Sequence, residues 1–293
     1  MISNNISCQS KRQAHAFKRS PHEDELICGG GDSTCHKSLN YNIMGKKLMS
    51  ENKRVALVTG ASGGIGKAVA ERLAQDGFYV MVHYSGNAEK ANEVVAKIHA
   101  NGGGAVACQA DVTEPEQVHK MFKTAQNIMG RLDVVVHCAG VMPLGKIVPE
   151  STAMFERVIK TNLYGGFIVL ADAQEFVARG GAIIALSSSV LAKNFPNYGP
   201  YIASKEGLEG LVRVLANEVR GRDVTVNAIS PGPTGTELFF KGKSQEQIET
   251  FAKLSPLERI GTPEDIAKAV SVLAGPDGRW INSQVVRVNG GFA

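Results

Sequence analysis

Short apolar runs alternate with stretches of helical periodicity along most of this chain. Residues 55–59 form a continuous apolar run, the pattern of a strand buried on both faces of a sheet. Directly after it, Ile65, Val69 and Leu73 recur at helical spacing, and Gly77 lies where a helix would end. Because this alternation continues to the last residues, it predicts an α/β fold with about seven parallel strands and helices on both faces.

The alternation fixes the expected bounds of each element. The predicted strands are residues 55–59, 79–83, 105–109, 132–137, 182–186, 224–229 and 284–288. The first predicted helix follows residue 64. The other predicted helices are residues 88–100, 114–129, 153–179, 201–220 and 263–273. The sequence has no internal repeat and no linker to a second domain, so we expect a single domain over residues 51–293.

Residues 1–50 differ in composition from the rest of the chain. They are polar, have no sustained apolar period and contain three consecutive glycines at 29–31. Because such a segment buries too little apolar surface to offset its ordering entropy, we expect a disordered extension. The basic residues before its first acid, Glu23, are a weak feature of transit peptides, but no amphipathic helix accompanies them.

The charge balance excludes some partners. The chain has 293 residues and a net charge of +4, and residues 51–293 carry 25 basic and 24 acidic side chains. A nucleic-acid-binding face needs clustered basic charge, so we expect no nucleic-acid partner. No apolar run approaches the roughly 20 residues that span a bilayer, so we expect no membrane span.

The cysteines indicate a reducing environment and no metal site. There are five, an odd number spread through the chain, which argues against a disulfide framework and favours a cytoplasmic location. Cys28, Cys35 and His36 match no standard zinc spacing, so no metal is expected.

A glycine-rich turn separates the first predicted strand from the first predicted helix. It runs through Gly60, Ser62, Gly64, Ile65 and Gly66. Glycines at such a junction allow a tight turn, bring backbone N–H groups close to a pyrophosphate and let helix and strand pack closely. The position of this turn in an alternating chain therefore predicts dinucleotide binding.

A tyrosine and a lysine share one face of the predicted helix 201–220. Tyr201 and Lys205 are four residues apart, about one turn. An ammonium beside a phenol favours the phenolate, and a phenol that ordinarily titrates near ~10 needs such help to act as an acid or base at neutral pH. The alternative is an ordinary residue pair on a surface helix.

Together these features resemble the short-chain dehydrogenase/reductase family over residues 53–293. The resemblance rests on the glycine turn, the segment 201–205 and short motifs elsewhere, namely Asp111-Val112, Ala139-Gly140, Asn162, serines at 187–189, Pro231-Gly232 and Asn289-Gly290-Gly291. It implies a single Rossmann-type, doubly wound domain that interconverts a carbonyl and a secondary alcohol with NAD(P). It also implies a homo-oligomer, commonly a tetramer. The whole pattern is similar to 3-oxoacyl-carrier-protein reductase-like members.

The resemblance implies where a cofactor would bind. Besides the glycine turn, it points to Asp111 for the adenine and Val112 for backbone hydrogen bonds. It further assigns cofactor contacts to Ala139, Gly140, Pro231, Gly232, Thr234 and Thr236. Asp111 could also serve the start of the following helix.

The residues after the second predicted strand bear on the choice between NADP and NAD. NAD-preferring members usually place an acid there to bind the ribose 2′-hydroxyl, but this chain has Tyr84, Ser85 and Asn87. With no acid to repel a 2′-phosphate, the sequence favours NADP, and NAD remains possible. The arginine often found before the second glycine of NADP-binding members is replaced by Gly63.

The resemblance also implies catalytic roles. Tyr201 would be the proton donor, and Lys205 would bind the nicotinamide ribose and lower the pKa of Tyr201. A serine after the fifth strand would orient the carbonyl; a 13-residue interval to Tyr201 selects Ser188, whereas the small-residue pattern selects Ser189, which we prefer at this stage. Asn162 would hold a water of a proton relay, or be a polar residue at a helix bend.

One motif departs from the family. His137 and Cys138 stand where two asparagines are usual before Ala139. We expect His137 to be a histidine packed against the sheet and not a general base, and Cys138 to be a small buried residue.

The sequence says least about the substrate. We expect a lid over residues 231–262 and a small carbonyl or alcohol substrate, apolar or acyl-chain in type. Phe239 and Phe240 could face either a substrate or a subunit contact. Apolar candidates for the pocket are Met142, Leu144, Leu191 and Phe195. The rival interpretation is a dinucleotide-binding regulator without turnover, which would not need Tyr201, Lys205 or the serines.

Overall fold

The computed structural model describes residues 53–293 and, within them, every side chain except those at 128 and 129. The expected disordered extension over residues 1–50 lies outside this range. Seven strands form one sheet: β1 Val55–Thr59, β2 Tyr79–Tyr84, β3 Gly104–Gln109, β4 Val134–His137, β5 Ala182–Leu186, β6 Thr225–Pro231 and β7 Val285–Val288.

Helices cover the sheet and form the lid region. They are α1 Gly64–Gln75, α2 Ala88–Ala100, α3 Pro115–Met129, α4 Thr152–Val158, α5 Gly165–Phe176, α6 Gly199–Glu218, α7 Glu237–Phe240, α8 Gln245–Lys253 and α9 Pro263–Ala274. A π-helical turn, Ile159–Tyr164, joins α4 to α5, and 3₁₀ turns occupy Pro149–Ser151, Ser189–Ala192 and Pro276–Gly278.

The sheet confirms the predicted parallel α/β architecture. Its strand order is β3-β2-β1-β4-β5-β6-β7, and every pair is parallel. Alternate residues of β1 point to opposite faces: Leu57 packs in one apolar core with Phe122 of α3, and Val58 packs in the other with Leu73 of α1. Both faces are buried, which is why the strands are continuously apolar in sequence.

The structure corrects several predicted bounds. The single predicted helix 153–179 is divided, because the turn Ile159–Tyr164 is π-helical and ends α4. The helix predicted at 201–220 starts earlier, at Gly199, since Pro200 is well suited to a first helical turn. The lid contains two short helices, α7 and α8, that apolar periodicity did not reveal.

A buried asparagine joins the last two strands. Asn227 of β6 is fully buried; its side-chain amide donates to the Ile281 carbonyl at 2.7 Å, and its side-chain oxygen accepts from the Gln284 N–H at 3.0 Å. It therefore satisfies the backbone of the segment that leads into β7, the strand at the edge of the sheet.

We expect Asn227→Leu to lower the free energy of unfolding by about 2–4 kcal/mol, because it leaves a buried donor and a buried acceptor without partners. Urea denaturation of the full chain measures this. Asn217→Ala is the matched control, since both hydrogen bonds of Asn217, to the Arg213 carbonyl and from the Arg220 side chain, are exposed, and its effect should stay within about 0.5 kcal/mol. Equal midpoints for the two variants would contradict the assignment.

Candidate active site

A cavity of about 380 Å³ lies at the carboxyl ends of the central strands. Chain order reverses direction between β1 and β4, and the crevice outside such a switch point is where open α/β sheets bind ligands. Fourteen of the predicted site residues line the cavity: Gly60, Ser62, Gly64, Ile65, Gly66, Ala139, Gly140, Ser188, Tyr201, Lys205, Pro231, Gly232, Thr234 and Thr236.

The glycine turn is held by close backbone contacts. Gly60 has φ +63°, and a Cβ there would lie 2.9 Å from the backbone of Ala139. A Cβ on Gly66 would lie 2.3 Å from the Gly60 carbonyl oxygen, so only glycine lets α1 begin this close to the end of β1. The turn therefore presents bare backbone to the cavity, as a pyrophosphate site requires.

One hydroxyl group joins β1 to β4 beside this turn. The Thr59 Oγ1 accepts hydrogen bonds from the N–H groups of Cys138 (3.1 Å) and Ala139 (3.2 Å). It lies 2.9 Å from His137 Nδ1, and because its lone pairs are engaged it donates to that nitrogen. His137 is buried, and burial together with the nearby Lys205 lowers the pKa of its imidazole to about 3. It is therefore a neutral residue packed in the sheet.

Tyr201 and Lys205 lie together at the floor of the cavity. Both belong to α6, and the Lys205 Nζ lies 5.9 Å from the centroid of the Tyr201 ring. The Lys205 ammonium donates to the Leu186 carbonyl at the end of β5, at 2.6 Å. Burial lowers the pKa of Lys205 to about 8. The carbonyl thus fixes the amine where the strands end.

The pKa of Tyr201 moves in the direction opposite to the one expected from its lysine neighbour. Burial raises it to about 12, and a hydrogen bond with Ser188 offsets only part of that increase. Loss of solvation is therefore the largest influence on this phenol. In this structure the phenol is therefore protonated, the form in which it can donate a proton.

The serines after β5 are divided between the cavity and the core, and this favours Ser188 over the preferred Ser189 as the serine that faces the cavity. Ser188 lines the cavity and hydrogen-bonds Tyr201. The Ser189 hydroxyl is 1% exposed, donates to the Ser230 carbonyl at 2.8 Å and accepts from the Asn289 side chain at 2.9 Å. The 13-residue interval to Tyr201 therefore locates the cavity serine, and the small-residue pattern does not.

Asn162 lies in the π-helical turn and braces the loop after β4. Its amide donates to the Val141 carbonyl and its oxygen accepts from the Val141 N–H, both at 2.8 Å. The amide also lies 3.1 Å from the Ser204 hydroxyl of α6. The helix bend expected at this residue is present, and Gly140 beside it keeps the backbone close to both Asn162 and Lys205.

The residues predicted for the adenosine end lie outside the cavity lining. Tyr84 is the last residue of β2, Ser85 and Asn87 follow it, and the Asn87 side chain accepts from the Lys90 N–H as the cap of α2. Asp111 accepts from the Thr113 N–H, which forms a turn before α3, and Val112 is buried. Their predicted contacts with the adenosine end of a cofactor stay a prediction.

The lid is closed at its base and carries aromatic side chains. The Gly235 N–H donates to the Gly261 carbonyl at 2.8 Å, and the Gly261 N–H donates to Pro233 at 2.9 Å. Above this base, Phe239 and Phe251 face the cavity, and Phe240 is exposed and packs on Phe239. Ser255 anchors the far side through a 2.6 Å bond to the Gly290 carbonyl.

Several cavity residues were not predicted from the sequence. Of the apolar candidates, Met142 and Phe195 line the cavity, whereas Leu144 is exposed and Leu191 lies outside the lining. The unpredicted members are Leu186, Val141, Val190, Tyr198, Pro233, Glu237, Leu238, Phe251 and Phe292. Tyr198 could have been predicted from the sequence, because it lies one helical turn before Tyr201 on the same face.

Within residues 53–293, no group of three or more histidine, cysteine or acidic side chains is arranged to hold a metal ion. In the same part of the chain, no helix combines the length and apolar character that crossing a bilayer requires.

Comparison with known proteins gives matches over nearly the whole described chain. Residues 60–293 match a family model described as enoyl-(acyl carrier protein) reductase. A short-chain type dehydrogenase/reductase of Picea abies is 44% identical over 248 residues, which is 81% of this chain and 92% of that protein. A protein of Zymoseptoria tritici named "Probable tetrahydroxynaphthalene reductase" is 38% identical over 249 residues, 81% of this chain and 93% of its own.

A solved structure is similar over the same region. A short-chain dehydrogenase from Burkholderia cenocepacia, in complex with NADP, superposes with a TM-score of 0.77 at 32% identity. The match covers 82% of this chain and 97% of that one.

The serine geometry makes a direct prediction. We expect Ser188→Ala to lower kcat/KM for carbonyl reduction by about 10²–10³-fold, the usual cost of losing a donor to a developing oxyanion. Ser189→Ala should leave kcat within about threefold and lower the unfolding free energy by about 1–2 kcal/mol, because it breaks a buried hydrogen-bond network. Steady-state kinetics and thermal denaturation of both variants measure this. The reverse pattern would restore Ser189 as the reacting serine.

Proposed function

This chain belongs to the short-chain dehydrogenase/reductase family of NAD(P)-dependent oxidoreductases, and we propose that it reduces a flat, apolar ketone with NADPH. The observation that carries the proposal is the convergence of Tyr201, Lys205, Ser188 and a wall of aromatic side chains in one cavity.

Tyr201 supplies the proton. Its pKa, raised to about 12 by burial, keeps the phenol protonated at neutral pH until the carbonyl oxygen gains negative charge. Ser188 shares a hydrogen bond with the phenol and can donate to the same carbonyl oxygen. Together the two hydroxyls orient the carbonyl and stabilise the alkoxide as it forms.

Lys205 and Asn162 hold this arrangement in place. Lys205 bonds the Leu186 carbonyl at 2.6 Å and is positioned to bind the nicotinamide ribose. Asn162 fixes Val141 and contacts Ser204, which lies between the catalytic pair on α6. In this proposal Asn162 also holds a water of the proton relay, the role suggested by the family resemblance.

The described residues fit a dinucleotide cofactor, which when bound supplies the hydride. The glycine turn offers close backbone approach at Gly60 and Gly66, which a side chain at either position would block. Pro231, Gly232, Thr234 and Thr236 form the opposite wall of the cavity. Ser85 and Asn87 follow β2 with no acid among them, which favours the 2′-phosphate of NADP over NAD. The similar Burkholderia structure is an NADP complex.

The substrate half of the cavity is aromatic. Phe195 lies at the centre of the group, with ring centroids 6.0 Å from Tyr198, 5.9 Å from Phe251 and 6.3 Å from Phe292. Phe239 extends the group, 5.6 Å from Phe251. Such rings pack best against a planar, apolar ligand through edge-to-face and offset contacts.

The charged residues of the cavity lining also favour an uncharged substrate. They are Lys205, which is bonded to Leu186, and Glu237, which is paired with Lys90 at 3.0 Å. Neither is available to bind a charged substrate group. A 3-oxoacyl thioester is the second candidate, because the matching family model is described as enoyl-(acyl carrier protein) reductase, a name that points to substrates carried as acyl thioesters.

We propose that the protein acts as a homo-oligomer, a tetramer by family analogy. Large apolar side chains are exposed on the helical layer that carries α4 and α5, including Phe155 at 44% and Phe167 at 53%. Trp280, next to the edge strand β7, is 98% exposed. Exposed apolar residues in groups favour contact with another copy.

We also propose a reducing, cytoplasmic location. Cys108 and Cys138 are free thiols, and burial raises the pKa of both, to about 11 and about 12. Both residues are partly buried, and thiols with raised pKa values stay protonated.

The proton-donor role is tested by Tyr201→Phe. We expect the rate of carbonyl reduction to fall by about 10²–10⁴-fold, the contribution of general acid catalysis, with the NADPH Kd within about twofold of wild type. Stopped-flow kinetics and fluorescence titration measure the two quantities. Substantial residual turnover would refute the role, and absence of turnover in wild type with intact NADPH binding would favour the regulator.

The substrate class is tested by a panel of bicyclic aromatic ketones, aliphatic ketones of equal carbon number and 3-oxoacyl thioesters. We expect kcat/KM to be highest for the aromatic ketones, because their planar rings match the aromatic wall. Phe195→Leu should reduce this preference by about tenfold, since a stacking contact is worth about 0.5–1.5 kcal/mol. Phe240→Leu is the matched control, because Phe240 lies outside the cavity lining. A preference for thioesters would select the second candidate.

A further inference from the structure

A buried histidine joins the carboxyl ends of three neighbouring strands. His83 belongs to β2 and is 1% exposed. Its Nδ1 lies 3.0 Å from the backbone nitrogen of Gly60, just after β1. Its Nε2 lies 2.9 Å from the carbonyl of Ala110, just after β3. One imidazole ring therefore spans from the glycine turn to the loop that carries Asp111.

The two contacts determine which nitrogen of His83 carries the proton. The Gly60 N–H can only donate, so Nδ1 accepts; the Ala110 carbonyl can only accept, so Nε2–H donates. Both ring nitrogens are satisfied in the neutral form. Burial lowers the pKa of His83, in agreement with this tautomer.

The backbone around His83 strengthens the same connection. The Ala61 N–H donates to the His83 carbonyl at 2.9 Å, and the Ala110 N–H donates to the Tyr84 carbonyl at 3.1 Å. The strand thus holds the two flanking segments through its backbone, and the imidazole adds a second attachment to each.

The other side of the glycine turn is fastened by different groups. There the Thr59 hydroxyl binds the N–H groups of Cys138 and Ala139 and donates to His137. His83 and His137 therefore hold the turn from opposite sides. His137 lies on the β4 side of the turn, and His83 lies on the side of β2 and β3.

We propose that His83 is a positioning residue for the adenosine–pyrophosphate half of the cofactor. It fixes the distance between the Gly60 turn, which binds the pyrophosphate, and the Ala110–Asp111 loop, which binds the adenine. The inference rests on the proposed function, because it assumes a dinucleotide in this crevice. It adds a residue that touches neither cofactor nor substrate and acts through the backbone on both sides.

The alternative is that His83 only stabilises the sheet. Both roles predict a lower melting temperature when the imidazole is removed, since two buried backbone groups lose partners. They differ in cofactor binding: a positioning residue changes the affinity for the adenosine fragment, and a purely structural one does not.

Two conservative variants separate the hydrogen bond to Gly60 from the hydrogen bond to Ala110. Asparagine places its side-chain oxygen near the position of Nδ1 and can accept from Gly60, but it does not reach Ala110. Glutamine places its amide near Nε2 and can donate to Ala110, but it leaves the Gly60 N–H without its acceptor. Leucine removes both hydrogen bonds and has a volume similar to that of histidine.

The experiment measures binding of NADPH and of 2′,5′-ADP to the full chain by isothermal titration calorimetry. We expect His83→Leu to raise both Kd values by about tenfold and His83→Gln by about fivefold, with His83→Asn within about threefold of wild type. The cofactor KM should rise in the same order, and kcat at saturating NADPH should change by less than about twofold. His99→Leu is the control: His99 also bonds a carbonyl of β3, that of Ala105, but at the opposite end of the strand.

Equal Kd values for wild type and a folded His83→Leu of lower melting temperature would make His83 a structural brace and overturn the proposal. Should His83→Leu fail to fold, the comparison of His83→Asn with His83→Gln tests the proposal. Equal Kd values of these two variants for NADPH and 2′,5′-ADP would also overturn the proposal. Both ligands are measured without turnover. If the wild-type chain binds both ligands but reduces no carbonyl, that result counts against the proposed function. The Kd values of the His83 variants would still test the positioning role of His83.

Discussion

The hydroxyl of Thr59 holds together the two strands between which the crevice opens. At a switch point the helices after the two strands leave in opposite directions, so nothing above the sheet covers the space between them. There the Thr59 oxygen accepts two backbone N–H groups from the segment after β4 and donates to a buried imidazole. The glycine turn, the Ala139–Gly140 segment and, through Asn162, the start of the helix that carries Tyr201 are all positioned from this junction.

Desolvation sets the chemistry of the site more strongly than the proximity of opposite charge. The ammonium of Lys205 lies near Tyr201, yet burial raises the pKa of the phenol to about 12 and lowers that of the amine to about 8. The two pKa values therefore move apart from their ordinary values. Burial favours the neutral form of both groups, a phenol that keeps its proton and an amine that loses its proton more readily.

The sequence predicted the sheet well because the central strands β1, β4 and β5 are buried on both faces and therefore read as nearly unbroken apolar runs. The glycine turn and the segment 201–205 were also located, since their chemistry depends on local spacing. The choice between Ser188 and Ser189 could not be made from the sequence, because both follow the same strand, and only the burial of Ser189 against Ser230 and Asn289 separates their environments. The aromatic wall was largely missed, because its rings come from four distant segments of the chain.

The base of the lid has a further consequence. Two backbone hydrogen bonds between residues 233–235 and Gly261, which form a parallel bridge at Thr234, close a segment of more than twenty residues at its ends. The entropy of closing a loop grows only with the logarithm of its length, so a lid already closed at its base tolerates changes in its length and composition at little cost to the domain. The residues between these contacts can therefore be replaced without disturbing the domain. Such replacements can change the range of substrates among relatives while the cofactor half of the crevice stays constant.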